Sequence, residues 1–373
     1  MGEWKEYRLD EIAEILDYKR KPLSSMQRSV RKGEIPYYGA SGIIDYIDDY
    51  IFEGEHVLIS EDGENLRSRQ TPIAFLADGK FWVNNHAHII KSDYIHNRLI
   101  CYYFANFDLN PFLTGAVQPK LSQDSLMRIP IFLPKSIEDR KQIVSIIASV
   151  DDKIDLLYRE NTTLEMIAET LFNKTLSDKE NDGTIEQFVT IQNGYAFKSK
   201  DFQEHGINGV IKIKNISEGV IDINKTDCID SNIVQGIASK FKVHTGDILI
   251  AMTGAEIGKL GIIPSTNKSL WLNQRVGMLV EKYPGAKYIA YLQLKSDYGL
   301  DYVENAATGS AQPNISSSAI ENCGFPLLDV SEIKALAYQL EGLYEKIIHN
   351  LGHINGLKLL RNELLLKLMN SQV

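Results

Sequence analysis

Two short stretches carry residue types suited to chemistry. Glu61, Asp62 and Glu64 sit in the loop EDGENLRSRQ (61–70), a spacing that could gather carboxylates for a nuclease. His86 and His88, two apart in NNHAHII, could be read as an H-x-H metal pair. Neither reading has its complement. The loop lacks a lysine at nuclease spacing, and neither an acid nor a third histidine lies near the pair in sequence, as a metal site would need. Alternate residues of an exposed strand edge is the better reading of the two histidines. There is no P-loop, G-x-G-x-x-G after a strand, H-E-x-x-H or G-x-S-x-G. Nor is there an Asn/Asp-Pro-Pro-aromatic stretch of the kind amino-methyltransferases use. A catalytic centre and a bound metal are therefore not expected in this chain.

Phosphate and base recognition fit the residues better. The run KRKPLSSMQRSVRK (19–32) holds six Lys/Arg and no acid, including Lys19, Arg20, Lys21 and Arg28, with Ser and Gln beside them for polar contacts. Tyr38 and Ser41 follow in IPYYGASGIIDYI. Further on, FKSKDF and VIKIKNI supply Lys198, Lys200, Lys212, Lys214 and Asn215. Lys212 and Lys214 alternate on an expected strand, which would put them on one face. Either patch alone reads equally as a solvated surface run; a patch in each half, near the same place, favours nucleic acid. The net charge of −9 argues against a freestanding nucleic-acid binder, which needs cations to displace counterions. Recognition must then use local patches or a partner's charge.

The elements that position these residues come twice. Block one spans about 1–135 and block two about 185–328, preceded by the polar linker SDKENDGTIEQ (177–187). GEHVLIS is answered by GDILIA, WVNNHAHIIK by WLNQRVGMLV, the expected helix RLICYYFANF by YIAYLQLKS, TGAVQPKLS by TGSAQPNIS, and IPIFLP by CGFPLL. The offset stays near 189 to 194 residues, the mark of an internal repeat. Residues repeated in both halves cannot tell one DNA sequence from another, so Gln118 and Gln312 of T-G-x-x-Q-P, with neighbouring Lys120, read as architecture or backbone contacts. Differing residues at equivalent places are the candidates for base readout: Glu61, Asp62, Arg67 and Arg69 in block one, and Thr253, Glu256 and Lys259 in block two. Asn84, Asn85 and His86 join them, with Asn273, Gln274 and Arg275 opposite. Arg suits guanine, a carboxylate accepts from cytosine, and Asn or Gln suits adenine.

Each block is followed by a long heptad pattern. Ile147, Val150, Ile154, Leu157, Asn161, Leu164, Ala168 and Leu171 alternate at three and four within a helix expected over 136–176. Leu336, Leu340, Leu343, Ile347, Ile354, Leu357 and Leu364 do so within a second, expected over 329–371. Helices of about 40 residues reach about 60 Å, too long for one globular core, so each needs the other. A short return makes the antiparallel arrangement the simplest. Gly342, Gly352 and Gly356 in the second should thin or bend it. The fold class expected is α+β: two repeated β-rich blocks, 1–135 and 177–328, joined by two long helices forming an antiparallel coiled coil.

The N-terminus lacks a charged-then-apolar signal, and no apolar run approaches the ~20 residues of a membrane span. Three distant cysteines, Cys101, Cys228 and Cys323, suggest neither zinc spacing nor a disulfide framework. These features point to a cytoplasmic protein.

Taken together, PYYGASGIIDYI with GEHVLISEDG, GYAFKSKDF with VIKIKNI, T-G-x-x-Q-P, and DDKIDLLYRENTTLEMIAETLF resemble the specificity (S) subunit of type I restriction–modification systems across essentially the whole chain. The second helix, KIIHNLGHINGLKLL, departs from the family's helix motif at its glycines. The resemblance implies two target recognition domains, each reading half of a bipartite double-stranded DNA site, with the coil as a ruler. It implies two methyltransferase (M) subunits that dock on the helices and carry S-adenosylmethionine, motor-nuclease (R) subunits in the full complex, and no cofactor or activity in this chain. The alternative is a non-catalytic coiled-coil scaffold whose two domains bind proteins.

Overall fold

The computed structural model describes residues 3–115, 117–309 and 313–369. It divides into two units: residues 1–152 with 358–373, and residues 153–357. Gln312, and the last two residues expected in the second helix, lie outside the described residues.

Unit 1 is built from ten strands: β1 (Trp4–Tyr7), β2 (Glu14–Ile15), β3 (Lys32–Gly39), β4 (Gly42–Ile47), β5 (Phe52–Glu53), β6 (His56–Ser60), β7 (Ala74–Ala77), β8 (Lys80–Val83), β9 (Ala87–Lys91) and β10 (Ile131–Pro134). One sheet runs β2-β9-β6-β7 and the other β4-β3-β8-β5, while β1 pairs with β10. The strand β6, HVLIS, is buried along its length, as a run of β-branched and aliphatic residues between two layers should be. Helix α1 (Tyr94–Asn106) covers the first sheet; Asp93 caps it by accepting from the His96 amide at 2.9 Å.

Unit 2 repeats the plan with more strands: β11 (Gly183–Thr184), β12 (Val189–Asn193), β13 (Phe202–Gln203), β14 (Asn208–Ile211), β15 (Ile216–Ser217), β16 (Gly219–Ile221), β17 (Asp227–Ile229), β18 (Lys242–Val243), β19 (Ile248–Ala251), β20 (Leu260–Ile262), β21 (Ser269–Leu272), β22 (Val276–Glu281) and β23 (Gly324–Phe325). The order β12-β22-β19-β20 matches β2-β9-β6-β7, and β16 and β15 extend it. The parallel pair β14/β21 matches β3/β8, each with an antiparallel neighbour, β18 or β5. The pair β11/β23 matches β1/β10.

The long helices are α2 (Ile137–Leu176) and the C-terminal Val330–Met369, 40 residues each. In unit 2 they run antiparallel: Asn161 faces Asn350 and Lys179 pairs with Glu332. In unit 1 Asp151 pairs with Arg361, and Leu365 and Met369 join the core around Ile143, Val144 and Ile147. Ile147, Val150, Ile154, Leu157, Leu336, Leu340, Ile347 and Ile354 are buried, whereas Leu164, Leu171, Leu343, Leu357 and Leu364 are half-buried. Phe172, Tyr344 and Leu365 take the buried places beside them. A 3.6-residue helix drifts about 20° per heptad from a 3.5-residue seam, so the buried stripe moves one position over along the helix. The second helix is unbroken through its glycines. Gly352 lies where a Cβ would come within 2.6 Å of Ser265, while Gly342 and Gly356 face open space.

Candidate nucleic-acid interface

The sharpest repeated feature is the turn after the parallel-paired strand: Asn84-Asn85-His86 between β8 and β9, and Asn273-Gln274-Arg275 between β21 and β22. Its first asparagine amide donates to the neighbouring strand, Tyr38 O at 3.0 Å in unit 1 and Ile211 O at 3.1 Å in unit 2. Its side-chain oxygen accepts from the amide two residues on, His86 at 2.8 Å and Arg275 at 3.4 Å, an Asx turn. The third residue's carbonyl then accepts from the adjoining loop, from Glu61 N at 2.9 Å or Met252 N at 3.1 Å. That loop is tied in turn to the T-G-x-x-Q-P loop. Gly63 N donates to Pro119 O and Leu121 N to Glu61 O; Gly254 N donates to Pro313 O and Ile315 N to Met252 O. Gly63 and Gly254 hold positive φ of 105° and 82°, which only glycine adopts without strain. Gln118 is exposed at the tip of its loop.

Side chains on this shared frame differ. In unit 1, exposed His86 sets Nδ1 2.8 Å from Asp62 Oδ2, and Asn85 is exposed beside it. In unit 2, Thr253 stands at Asp62's place, half-buried with its Oγ1 shut from solvent; Gln274 and Arg275 are exposed.

The structure corrects several sequence expectations. Strand β9 lies inside its sheet, so His88 is not on an exposed edge; it is 1% exposed. Its Nδ1 is 2.6 Å from Asp17 Oδ2 and its Nε2 2.8 Å from Leu121 O. Asp17, Glu61 and His88 are the group of described residues close enough to hold a metal, but protein partners fill the space: Arg20 bridges Asp17 and Glu61, and Lys120 reaches Glu61 at 3.2 Å. Burial alone would raise both carboxyls; the His88 and Arg20 contacts, with the Ile89 amide on Asp17 and Lys120 on Glu61, hold them below their usual range instead. Glu61 and Arg20 are therefore already engaged with each other and with Asp17 and Lys120 inside the fold.

Most of the basic run 19–32 is likewise engaged. Arg28 and Lys32 both reach Asp45, at 3.0 and 2.7 Å, and Arg31 reaches Asp48 and Asp49. Lys32 and the Tyr46 amide, with Arg28, bring the Asp45 carboxyl down to about 2. The signal for this lay in DYIDDY (45–50), which the β3–β4 hairpin folds back against the basic run. Lys19 sits over the Tyr18 ring and Lys21 is exposed. Tyr38 packs edge-on against Phe81, and Ser41 is exposed at the hairpin tip. Arg67 donates to Gly115 O; Arg69 donates to carbonyls of Phe104, Ala105 and Phe107, capping the end of α1.

In unit 2, Lys212 and Lys214 are not on a strand, because β14 ends at Ile211 and a short 3-10 turn follows. They meet nonetheless at Asp227, 2.8 and 2.9 Å away, and depress its carboxyl. Asn215 is buried and ties that turn: its Oδ1 accepts from Lys212 N, and its Nδ2 donates to Asp222 and Lys225 carbonyls. Glu256 and Lys259 pair with each other. Lys198 and Lys200 are exposed, with no carboxylate partner among the described residues.

The comparisons agree with this architecture. The family model for the type I restriction modification DNA specificity domain matches residues 1–166 and 178–357. S.HindORF215P of Haemophilus influenzae, a protein named for the specificity subunits of type I restriction enzymes, is 44% identical over 133 residues, 35% of this chain and 33% of that protein. The MjaVIII type I restriction enzyme specificity subunit of Methanocaldococcus jannaschii is 26% identical over 252 residues, 61% of this chain and 58% of that protein. The chain thus spans about a third of the first relative's length and just over half of the second's. The crystal structure of a type I restriction–modification S subunit from M. genitalium superposes with a TM-score of 0.62 at 14% identity, over 99% of this chain and 96% of that one, a likeness of fold. With a repeated frame and a matching model over most of its length, the chain belongs to the type I restriction modification DNA specificity domain family.

Proposed function

We propose that this chain is the DNA-specificity subunit of a type I restriction–modification complex. Unit 1 and unit 2 each read one half of a bipartite duplex target. The helix pair sets the number of unread base pairs between the halves and docks two methyltransferase subunits, with motor-nuclease subunits joining for restriction. Those methyltransferase subunits hold S-adenosylmethionine, flip an adenine and methylate it. The chain itself is non-catalytic: the only carboxylate loop that suggested chemistry in sequence is braced by Arg20 and Lys120 in unit 1 and carries Met252 in unit 2.

One observation carries this reading: a backbone frame held by the same main-chain bonds occurs twice, and its exposed tips bear different side chains. That is the arrangement expected of two readers of different sequences on a common scaffold. The net charge of −9 fits a subunit whose partners complete the cationic clamp.

The test is a map of N6-methyladenine in DNA from cells expressing the chain with its methyltransferase subunit. A split motif, with modified adenines on opposite strands across a constant gap, is expected. No methylation dependent on this chain, with an active partner present, would favour the protein-binding scaffold instead. Among the described residues no helix is long and apolar enough to cross a membrane.

A further inference from the structure

We propose that Gln274 and Arg275 are specificity-determining residues of unit 2, with Arg275 reading a guanine in the major groove. This rests on the specificity-subunit reading above and adds to it a residue and a base.

The tip is rigid where its side chains are free. Gln274 N donates to Tyr195 O at 2.9 Å, Tyr195 N to Leu272 O at 2.8 Å, and Val276 N to Asn273 O at 2.9 Å. Gly194 passes so close that a Cβ there would come within 2.1 Å of Asn273 O, so the Gly194–Tyr195 segment clamps the turn from the side. A held backbone lowers the ordering cost of recognition. Yet the Gln274 and Arg275 side chains are exposed and have no polar partner among the described residues. In this Arg275 differs from every other arginine of the chain. Each of those hydrogen-bonds or ion-pairs within the fold with a carboxylate, a carbonyl, a hydroxyl or an imidazole.

An exposed guanidinium left unpaired in a protein rich in acids is available to a ligand that presents two acceptors in one plane. Guanine O6 and N7 do so in the major groove, and a planar guanidinium matches both at once. Gln274, next to it, has the donor–acceptor pair that suits adenine. The flanking segment adds charge of a different kind: Lys198 and Lys200, three and five residues beyond Tyr195, are exposed and suited to phosphate. At the equivalent tip of unit 1 the residues are Asn85 and His86, the latter held by Asp62. The two halves differ in chemistry at the place where their backbones agree.

The experiment uses the complete chain in its assembled complex with the methyltransferase subunits. Arg275→Ala and Arg275→Lys are compared with wild type by methylation mapping, and by binding to the mapped site and to variants with one base pair changed. Loss of a bidentate contact should remove roughly 5- to 150-fold of discrimination at a single G·C pair. The mapped motif should then become degenerate at that position, in one half-site only, with the other half and the gap unchanged. Arg275→Lys keeps the charge and should relax the same position, which a phosphate contact would not. Discrimination unchanged at every position, or affinity falling evenly across all sequences, would overturn the proposal. Absence of a split motif in wild type would instead overturn the functional reading beneath it.

Discussion

At one equivalent point in the fold the two units are filled by opposite means. Unit 1 has Asp17, Glu61 and His88 there, a buried ionic network closed by Arg20 and Lys120. Register and offset place Asn193, Met252 and Gly277 at the corresponding points of unit 2. Gly277 has Ile191 and the Met252 sulfur so near that a Cβ would meet each at 2.9 Å. The main-chain bonds at Glu61 and Met252 are the same, although Asp17 opens a 3-10 turn where Asn193 ends a paired strand and is exposed. The difference teaches that the backbone frame, not the chemistry packed behind it, is what the repeat holds in common. An ion network and an apolar plug of similar volume can be close in stability, whereas a broken network is costly.

The largest expected effect tests that contrast. His88→Ala should destabilise unit 1 by about 3 kcal/mol, because it removes the nearest side-chain partner of buried Asp17, unpairs Leu121 O and leaves a cavity. Hydrogen exchange on the full chain would show protection lost in unit 1 and kept in unit 2. Installing unit 2's residues together, Asp17→Asn, Glu61→Met and His88→Gly, should cost more than His88→Ala alone, because Arg20 then loses both of its carboxylate partners. A triple variant that cost less would show the two fillings to be interchangeable even with Arg20 left in place.

Acid should separate the units in the same direction. Asp17 and Glu61 titrate below their usual values in the folded state, so their contribution is present above about pH 4, the ordinary carboxylate range. It disappears as pH falls through the lower folded values. In unit 2, burial raises the Asp247 carboxyl despite the His244 amide and Lys287, so acidification relieves a cost there. Between pH 5 and 3, exchange protection should fall first in unit 1. Earlier loss in unit 2 would mean that its Asp227 pair with Lys212 and Lys214 outweighs the buried network.

A smaller effect is expected where the helices meet. Asn350 Nδ2 donates to Asn161 Oδ1 at 2.9 Å, buried in unit 2, leaving Asn161 Nδ2 and Asn350 Oδ1 unpaired. Leucine at both positions should stabilise by about 1–2 kcal/mol while weakening the preference for one register. Thermal unfolding would report the first; scattered gap lengths in the methylation map would report the second. A gap that stayed sharp would move register control to the ion pairs alongside, such as Lys346 with Glu160.

How much of this was legible in the sequence depended on range. The repeat and the helices rest on local signals, T-G-x-x-Q-P and three-four spacing, and these survive into the structure. The Asn84 and Asn273 turns were visible as matched positions, though not as turns. What sequence concealed were partners distant along the chain. The basic run 19–32 looked free because it contains no acid; its acids, Asp45, Asp48 and Asp49, arrive only when β4 folds back on β3. Lys212 and Lys214 alternate like strand residues, yet the chain turns there because the Asn215 side chain holds the Lys212 amide. His88 looked like an edge residue because nothing local announced that β2 and β6 would flank its strand.

The smallest expected effect follows from the same distinction between free and engaged cations. A lysine that neutralises a phosphate contributes about 0.9 to the slope of log affinity against log salt. Lys198 and Lys200 have no acid to leave among the described residues, so replacing both with alanine should flatten the slope of the assembled complex by up to about 2. Lys212 and Lys214 share Asp227, so a phosphate would have to compete with a carboxylate already in place. Replacing those two should change the slope by less than about 1 for the pair. Equal slopes for the two double variants would mean that the Asp227 pairing opens on DNA and that the resting ion pairs do not forecast the interface. A flat response to Lys198 and Lys200 alone would remove the segment beside the Gln274–Arg275 tip from contact with the backbone.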